Sequence, residues 1–430
     1  MSMDQLTIPT LKLEGRKFLV RWDEGVKIEV WKIYPHRNGH LTATVKISDS
    51  AELNGPHMLG PVRPDITKTW SSVIRELETI SARTDWLQRL QQVTSMIVEA
   101  YEAGDPAMAL DEMPQPEDTH EAVDGFMWHG VPTLLYGAGG IGKSIVGLNV
   151  LHALHHGRDF AGRSTIQSNS LWLDWESTRN LAWWRNAEIL KGDGLEPGRW
   201  PDPNRPGEID SPRGNMVFYK PMVGSLIDNV EVIADEVDRF NIGALMVDSA
   251  IPACGGEAES PKAAEEFFMA LRAIKPRDRD IATLIVSHIT KEAARDAGQS
   301  SSPFGSTVWR DRARDTYELK ASQRKTAGHI DFAVHHRKSN MSAIRKPFGL
   351  RLTWDGARVD PLDIKDNNDL VGTLTIEEQV EIELTKAGSL TLDELADVTG
   401  AAKGSISSIL SRSDMFSSVD GRWAPSGVNF

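Results

Sequence analysis

The segment Gly137-Ala138-Gly139-Gly140-Ile141-Gly142-Lys143-Ser144 constrains this chain more than any other. It has the spacing G-x-x-x-x-G-K-[ST]. The residues before it, Thr133-Leu134-Leu135-Tyr136, have the composition of a strand, and Ile145-Val146-Gly147-Leu148 begins a helical pattern. A strand, a glycine-rich turn and a helix in that order gather backbone N–H groups and a helix N-terminus around one point. That arrangement suits a phosphate. Gly137, Gly139, Gly140, Ile141 and Gly142 form the cradle, Lys143 reaches the β- and γ-phosphates, and the Ser144 hydroxyl ligates Mg²⁺. ATP with Mg²⁺ is the expected ligand pair.

Between about residues 126 and 355, short apolar runs alternate with helical patterns. Strands are expected at 133–136, 171–175, 216–219, 244–247 and 282–286. This rhythm predicts βαβ units and a mostly parallel central sheet, an α/β fold. The runs at 316–319, 329–334 and 349–353 lie too close together for intervening helices and predict an antiparallel extension. The Gly/Pro-rich stretch 192–214 predicts a loop.

Ligands of parallel sheets sit at the carboxyl edge of the strands, and three further strand ends carry chemistry. Leu245-Met246-Val247-Asp248-Ser249 ends in a carboxylate suited, with Ser144, to the magnesium shell. Leu171-Trp172-Leu173-Asp174-Trp175-Glu176 ends in two acids. Glu176 is the candidate to polarise a water, and Asp174 competes for that role. Leu284-Ile285-Val286-Ser287-His288 ends in an imidazole placed to feel a γ-phosphate. Lys143, Glu176, Asp248 and His288 form the candidate catalytic set. Trp128, just before the first strand, is a candidate to stack on adenine.

Composition narrows the class. Apolar residues make up 40 % and charged residues 25 %, enough for an ordinary core. No apolar run approaches the ~20 residues that span a bilayer, and the first residues lack a secretory pattern. The single cysteine, Cys254, leaves no internal disulfide and no Cys-based zinc site. A reducing, cytoplasmic setting without membrane contact is expected. The net charge, 48 − 61 = −13, argues against a protein that coats nucleic acid and still allows a local basic channel. His152, His155 and His156 have helical metal-binding spacing, but no acid partner stands near them in sequence, so no metal site is expected there. Trp172, Trp175, Trp183 and Trp184 read as packing residues.

The phosphate loop, the acid after the next strand, Val247-Asp248-Ser249 and Ser287-His288-x-x-Lys291 together resemble the RecA-type ATPase superfamily. Within it the likeness is to RepA-like plasmid and phage replication ATPases, ring-forming helicases related to the DnaB type. Residues 304–315 resemble their segment after the histidine strand. His336-Arg337-Lys338-Ser339-Asn340 with 347–352 resembles their late basic hairpin. The likeness spans 126–355. It implies a RecA-like core, a homo-oligomeric ring of six subunits, and a basic residue entering the neighbour's nucleotide site. Arg337 and Lys338 match that position, with Arg310, Arg312 and Arg314 as open alternatives. It also implies single-stranded DNA as partner, contacted by pore loops at 254–260 and 291–303. Residues 320–351 carry eight cations against one acid, Asp331.

Flanking this core, 1–103 reads as a β-meander followed by helices, an α+β accessory domain, and 104–125 as an acidic linker. The ATPase domain then covers 126–360. Residues 371–430 read as a winged helix, with Lys403, Ser405, Ser407, Ser408, Arg412 and Arg422 facing outward. Nine acids against four cations make that segment a poor phosphate grip. It is expected to bind DNA or to dock a replication or recombination protein. A DNA helicase or translocase is the leading expectation. A filament-forming recombinase or recombination mediator and an ATP-gated regulator with a protein partner are the alternatives.

Overall fold

The computed structural model describes residues 9–14, 17–35, 41–49, 57–63, 67–80, 84–103, 107, 109–112, 121–195, 216–276, 279–290, 301–322 and 328–426. The chain divides into two compact units. One comprises Met1–His120, Val223–Gly243 and Pro252–Ile281; the other comprises Glu121–Met222, Ala244–Ile251 and Ala282–Phe430.

The first unit opens with an antiparallel sheet in sequential order: β1 (Thr10–Glu14), β2 (Lys17–Arg21), β3 (Val26–Pro35), β4 (Leu41–Asp49) and β5 (His57–Val62). Strand β4 alternates buried and half-buried positions along its whole length, the signature of a sheet covered on one face. Helices α1 (Thr67–Ile80) and α2 (Trp86–Ala103) supply Leu77, Trp86, Leu90, Val93 and Ile97 to a core shared with Val20, Ile28, Val30, Val45 and Ile47. The β-meander expected here has five strands among the described residues. Strand β5 escapes a periodicity reading because Gly60 and Pro61 interrupt it.

The second unit begins with the hairpin β6 (Glu121–Val123) and β7 (Met127–Trp128), so β6 lies inside the stretch read as linker. Next come β8 (Pro132–Gly137), α3 (Lys143–His156), β9 (Asn169–Asp174), α4 (Arg179–Gly192) and β10 (Val217–Pro221). Helix α5 (Val230–Arg239), in the first unit, precedes β11 (Ile242–Asp248). The short α6 (Ala250–Cys254) leads to α7 (Pro261–Ile274), again in the first unit, and β12 (Ala282–His288). Then follow α8 (Val308–Arg312), β13 (Asp315–Ala321), β14 (His329–Ser339), β15 (Phe348–Thr353) and β16 (Arg358–Leu362).

These strands form one nine-stranded sheet ordered β10-β9-β11-β12-β8-β13-β14-β15-β16. The pairs β10/β9, β11/β12, β12/β8 and β8/β13 are parallel, and the last three strands are added antiparallel. The expectation for 316–319 needs correcting. Strand β13 pairs in parallel with β8, and only its other edge, with β14, is antiparallel. A parallel return needs a crossover of a dozen or more residues, and 289–314, which include α8, provide it. Helix α3 is buried on nearly every side. Gly147 lets it lie directly on β11, because a Cβ there would sit 2.5 Å from the Met246 sulfur.

The chain continues through α9 (Asn368–Val371), α10 (Ile376–Ala387), β17 (Leu390–Thr391), α11 (Leu392–Thr399), α12 (Lys403–Arg412), β18 (Phe416–Val419) and β19 (Arg422–Pro425). Thr375 with Glu378 and Thr391 with Glu394 form capping boxes at the starts of α10 and α11, which satisfies orphan N–H groups. Gly400 ends α11 in the left-handed conformation at φ +68°. The three helices enclose Val380, Leu384, Leu395, Ile406 and Leu410, with Phe416 from the three-stranded sheet β17-β19-β18. Among the described residues no helix is long and apolar enough to cross a membrane.

Candidate nucleotide-binding site

The sheet register brings four strand ends to one edge. Gly137 pairs with His288 across β8/β12, and Asp248 with Val286 across β11/β12. Backbone bonds tie the exits together: the Trp175 N–H donates to the Asp248 carbonyl at 2.8 Å, and the Ile289 N–H to the Gly137 carbonyl at 3.3 Å. The loop between β8 and α3 turns through Gly140 at φ +72° and Gly142 at φ +99°, conformations open to glycine at little cost. Its remaining expected members, Gly139 and Ile141, lie in the same turn, and α3 starts at Lys143 with no side-chain cap on its first N–H groups. Those groups are what an anion at a helix N-terminus uses.

Lys143 is buried, and its ammonium donates to the carbonyls of Gly137 at 3.1 Å and Ala138 at 2.7 Å. It also lies 3.3 Å from His288 Nδ1. An ammonium has no acceptor capacity, so Nδ1 accepts. The ring proton is then on Nε2, which faces Glu176 Oε1 at 3.3 Å. The same oxygen accepts from the Ser249 hydroxyl at 2.5 Å. Lys143, His288, Glu176 and Ser249 therefore make one hydrogen-bonded chain across three strand ends. Burial pushes the Lys143 ammonium down to about 8, against the pull of Glu176 and Asp248. The contact with His288, with help from Ser249, holds Glu176 down to about 2 despite partial burial.

Asp248 differs from its neighbours. It is 1 % exposed, and neither carboxylate oxygen has a hydrogen-bond partner of ordinary geometry. Burial pushes it up to about 6, and the nearby Ser144 hydroxyl acts in the opposite direction. A buried, unsatisfied carboxylate beside a hydroxyl is costly alone and suited to a hard divalent cation. The residues thus fit Mg²⁺, which Ser144 and Asp248 would hold and which would neutralise phosphate charge.

Asp174, the rival to Glu176, is occupied. Its Oδ1 accepts the N–H groups of Glu176 and Ser177, both at 2.9 Å, and its Oδ2 accepts from the Tyr219 hydroxyl at 3.3 Å. It shapes the turn that presents Glu176. Two contributors had no role assigned from the sequence: Ser249, there only the end of the Val247-Asp248-Ser249 motif, and Arg185 of α4, which donates to the Ser177 hydroxyl at 2.8 Å and adds positive potential at Asp248. Arg185 stands nine residues past Glu176 in sequence, on the next helix. Only its place after an acid-ended strand could have pointed to it.

The basic residues of β14 are drawn elsewhere. Arg337 donates through Nε to Glu318 Oε2 at 2.7 Å, and Glu318 is fully buried on β13. Lys338 donates to the carbonyls of Arg310, Asp311 and Ala313 at 2.8–2.9 Å, capping the end of α8. The basic zone seen in sequence is also matched by acids distant in the chain. Arg345 pairs with Glu121 at 2.8 Å, Lys346 with Glu381 at 2.8 Å and Arg351 with Asp331 at 2.6 Å, while Lys320 approaches Glu318 at 3.9 Å. Arg324 and Lys325 lie outside the described residues. Trp128 donates its indole N–H to Asp315 at 3.0 Å, which fixes the edge of the ring. The 254–260 segment presents Glu257 and Glu259 and no cation. Most of the 291–303 segment lies outside the described residues.

A family model described as an AAA domain matches residues 100–294, which include the phosphate loop and all four strand ends. Over those residues the chain is similar to an AAA domain, with a P-loop set in an α/β core. Among solved structures, the KaiC-like protein PH0186 from the hyperthermophilic archaeon Pyrococcus horikoshii OT3 is similar at 13 % identity and TM-score 0.37. The match covers 56 % of this chain and 93 % of that one. No curated protein matches.

Proposed function

We propose that this P-loop ATPase hydrolyses ATP with Mg²⁺ as a ring-forming, DNA-dependent translocase or helicase. The observation that carries the reading is the position of His288. Its ring joins Lys143 to Glu176, and its backbone carbonyl accepts from the Phe304 N–H at 2.7 Å. The chain between Ile289 and Phe304 thus leaves and returns at the residue that touches both phosphate-facing groups. A change at the γ-phosphate is felt at both ends of that segment, which is the coupling a motor needs.

Glu176 with a pKa near 2 is a weak proton acceptor and a good hydrogen-bond acceptor. It orients the attacking water more than it removes its proton. With Arg337 and Lys338 engaged inside the chain, the cation that completes a neighbour's site is best sought among Arg310, Arg312 and Arg314. All three are exposed around the end of α8. A cation that arrives only on assembly stabilises charge developing in the transition state.

A second reading, an ATP-gated regulator with a protein partner, is favoured by one observation. We read 371–430 as a winged helix, and three of its four cations pair with its own acids: Lys386 with Glu383 at 3.1 Å, Lys403 with Asp393 at 2.8 Å and Arg422 with Glu394 at 3.4 Å. Steady-state phosphate release with and without single-stranded DNA, with Lys143→Ala as blank, separates the two. A several-fold rise with DNA supports the motor. An unchanged rate with DNA supports the regulator.

A further inference from the structure

The far end of α3 carries a second constellation. His152 and His156, one helical turn apart, and Asp193, just past the end of α4, each offer a ligand atom, and these atoms all lie within 4.8 Å of one another. The acid that the sequence reading found missing beside the histidines is supplied by the fold.

His152 is 2 % exposed, and neither ring nitrogen has a hydrogen-bond partner of ordinary geometry, although the Asn186 side chain stands nearby. Two unsatisfied buried nitrogens on one ring are costly unless something binds them. Asp193 is similarly half-used. Its Oδ1 pairs with the Arg158 guanidinium at 2.7 Å, and its buried Oδ2 has no hydrogen-bond partner. The ion pair orients the carboxylate and leaves one oxygen available, the usual arrangement around a ligating carboxylate. Burial, reinforced by the neighbouring histidines and Arg158, holds His152 neutral, with its pKa pushed down to about 3. Neutral imidazole is the ligating form.

We propose that His152, His156 and Asp193 bind a zinc-class divalent transition metal, with the fourth tetrahedral position open to water or an exogenous ligand. Two imidazoles and one carboxylate suit Zn²⁺ or Co²⁺ and not Mg²⁺, which prefers oxygen ligands throughout. Two histidines at i and i+4 on one helix face are a recurrent zinc-binding spacing. Bonds of about 2.0–2.1 Å place tetrahedral ligand atoms roughly 3.4 Å apart, so a modest closure of side chains completes the site. The metal would pin α3, whose start holds Lys143 and Ser144, to the end of α4, whose start follows Glu176.

The test is Co²⁺ titration of the full chain, stripped of metal and held in excess Mg²⁺ to occupy the oxygen-only site. Expected are one tight equivalent, the intense visible d–d bands of tetrahedral Co²⁺, and their bleaching by one equivalent of Zn²⁺. His156→Ala and Asp193→Asn should each lose the bands and at least about tenfold in affinity, the loss typical when a metal site is weakened. Both changed residues are half-buried and the Asn replacement keeps the shape of Asp193, so circular dichroism verifies folding while His152, fully buried, is left intact. No bands in the parent protein, or bands unchanged in both folded variants, would overturn the assignment.

Discussion

Two polar clusters share the central sheet and differ in how completely they are satisfied. Around β13 and β14, Asp315 accepts from the Trp128 indole, from the Tyr317 hydroxyl at 3.2 Å and from His336 Nε2 at 2.6 Å, while the Arg345 N–H donates to His336 Nδ1. The single Tyr317 O–H proton is shared between Asp315 and the Gly125 carbonyl, the latter at 2.9 Å, and the ring stacks on His336 with centroids 4.6 Å apart. Every member has its partner. At the carboxyl edge of β11, Asp248 is as deeply buried and has none of ordinary geometry. A closed network of this kind rigidifies a fold, whereas an unsatisfied buried charge is tolerated where a ligand is expected. The contrast separates scaffold from site on the same sheet.

The comparison breaks most readily at Asp315. Asp315→Ala leaves the Trp128 indole and His336 Nε2 without their acceptor, while Tyr317 keeps the Gly125 carbonyl, and should cost about 2–6 kcal/mol in urea denaturation. Turnover measured well below the transition should stay within about twofold of the parent. A stable but inactive variant would erase the distinction. The converse belongs to the other cluster. Lys143→Ala and Glu176→Gln should each lose about a hundredfold or more in phosphate release, the scale of one lost transition-state donor, with melting temperature nearly unchanged. Glu176→Gln should still bind a fluorescent ATP analogue. Normal turnover there would remove Glu176 from the water-orienting role.

Asp248→Asn sharpens the contrast through pH. The folded pKa near 6 lies above the unfolded value of 3.8. Its contribution is therefore fully present below about pH 4 and lost as pH rises through 6. Without Mg²⁺ at pH 7.5, the Asn variant should be more stable than the parent by about 2–3 kcal/mol, and the gap should close as pH falls towards 4. Added Mg²⁺ should stabilise the parent and leave the variant unchanged. Thermal melts across pH decide it, and a gap independent of pH would sink the account of Asp248. The smallest effect belongs to the surface. Lys346→Ala removes an exposed pair with Glu381 and should cost less than about 1 kcal/mol, with phosphate release unaffected.

What the sequence made legible was contiguous. The phosphate loop, the acid-ended strands and the histidine strand each announce themselves within ten residues, and the fold delivers all of them to one edge. What stayed hidden were partners set by the fold. Glu318 occupies Arg337, Glu121 answers Arg345, and Asp193 joins His152 and His156. None of these pairings has a sequence spacing from which to read it. Strand β16 was missed for a local reason: Arg358-Val359-Asp360-Pro361-Leu362 looks like a turn. Its proline is tolerated because β16 is the outermost strand of the sheet.

The strand order has a consequence for how the molecule comes into being. Strand β8, residues 132–137, lies between β12, residues 282–288, and β13, residues 315–321. Translation therefore delivers the phosphate-loop strand long before either neighbour exists, on the order of ten seconds at typical elongation rates. Parallel pairings of such separation are also intrinsically slow to form. The phosphate-loop strand is the first strand of this sheet to be made, and its second edge is covered only when β13 appears. A nascent chain halted before residue 315 would carry the complete motif on a strand with one edge still open.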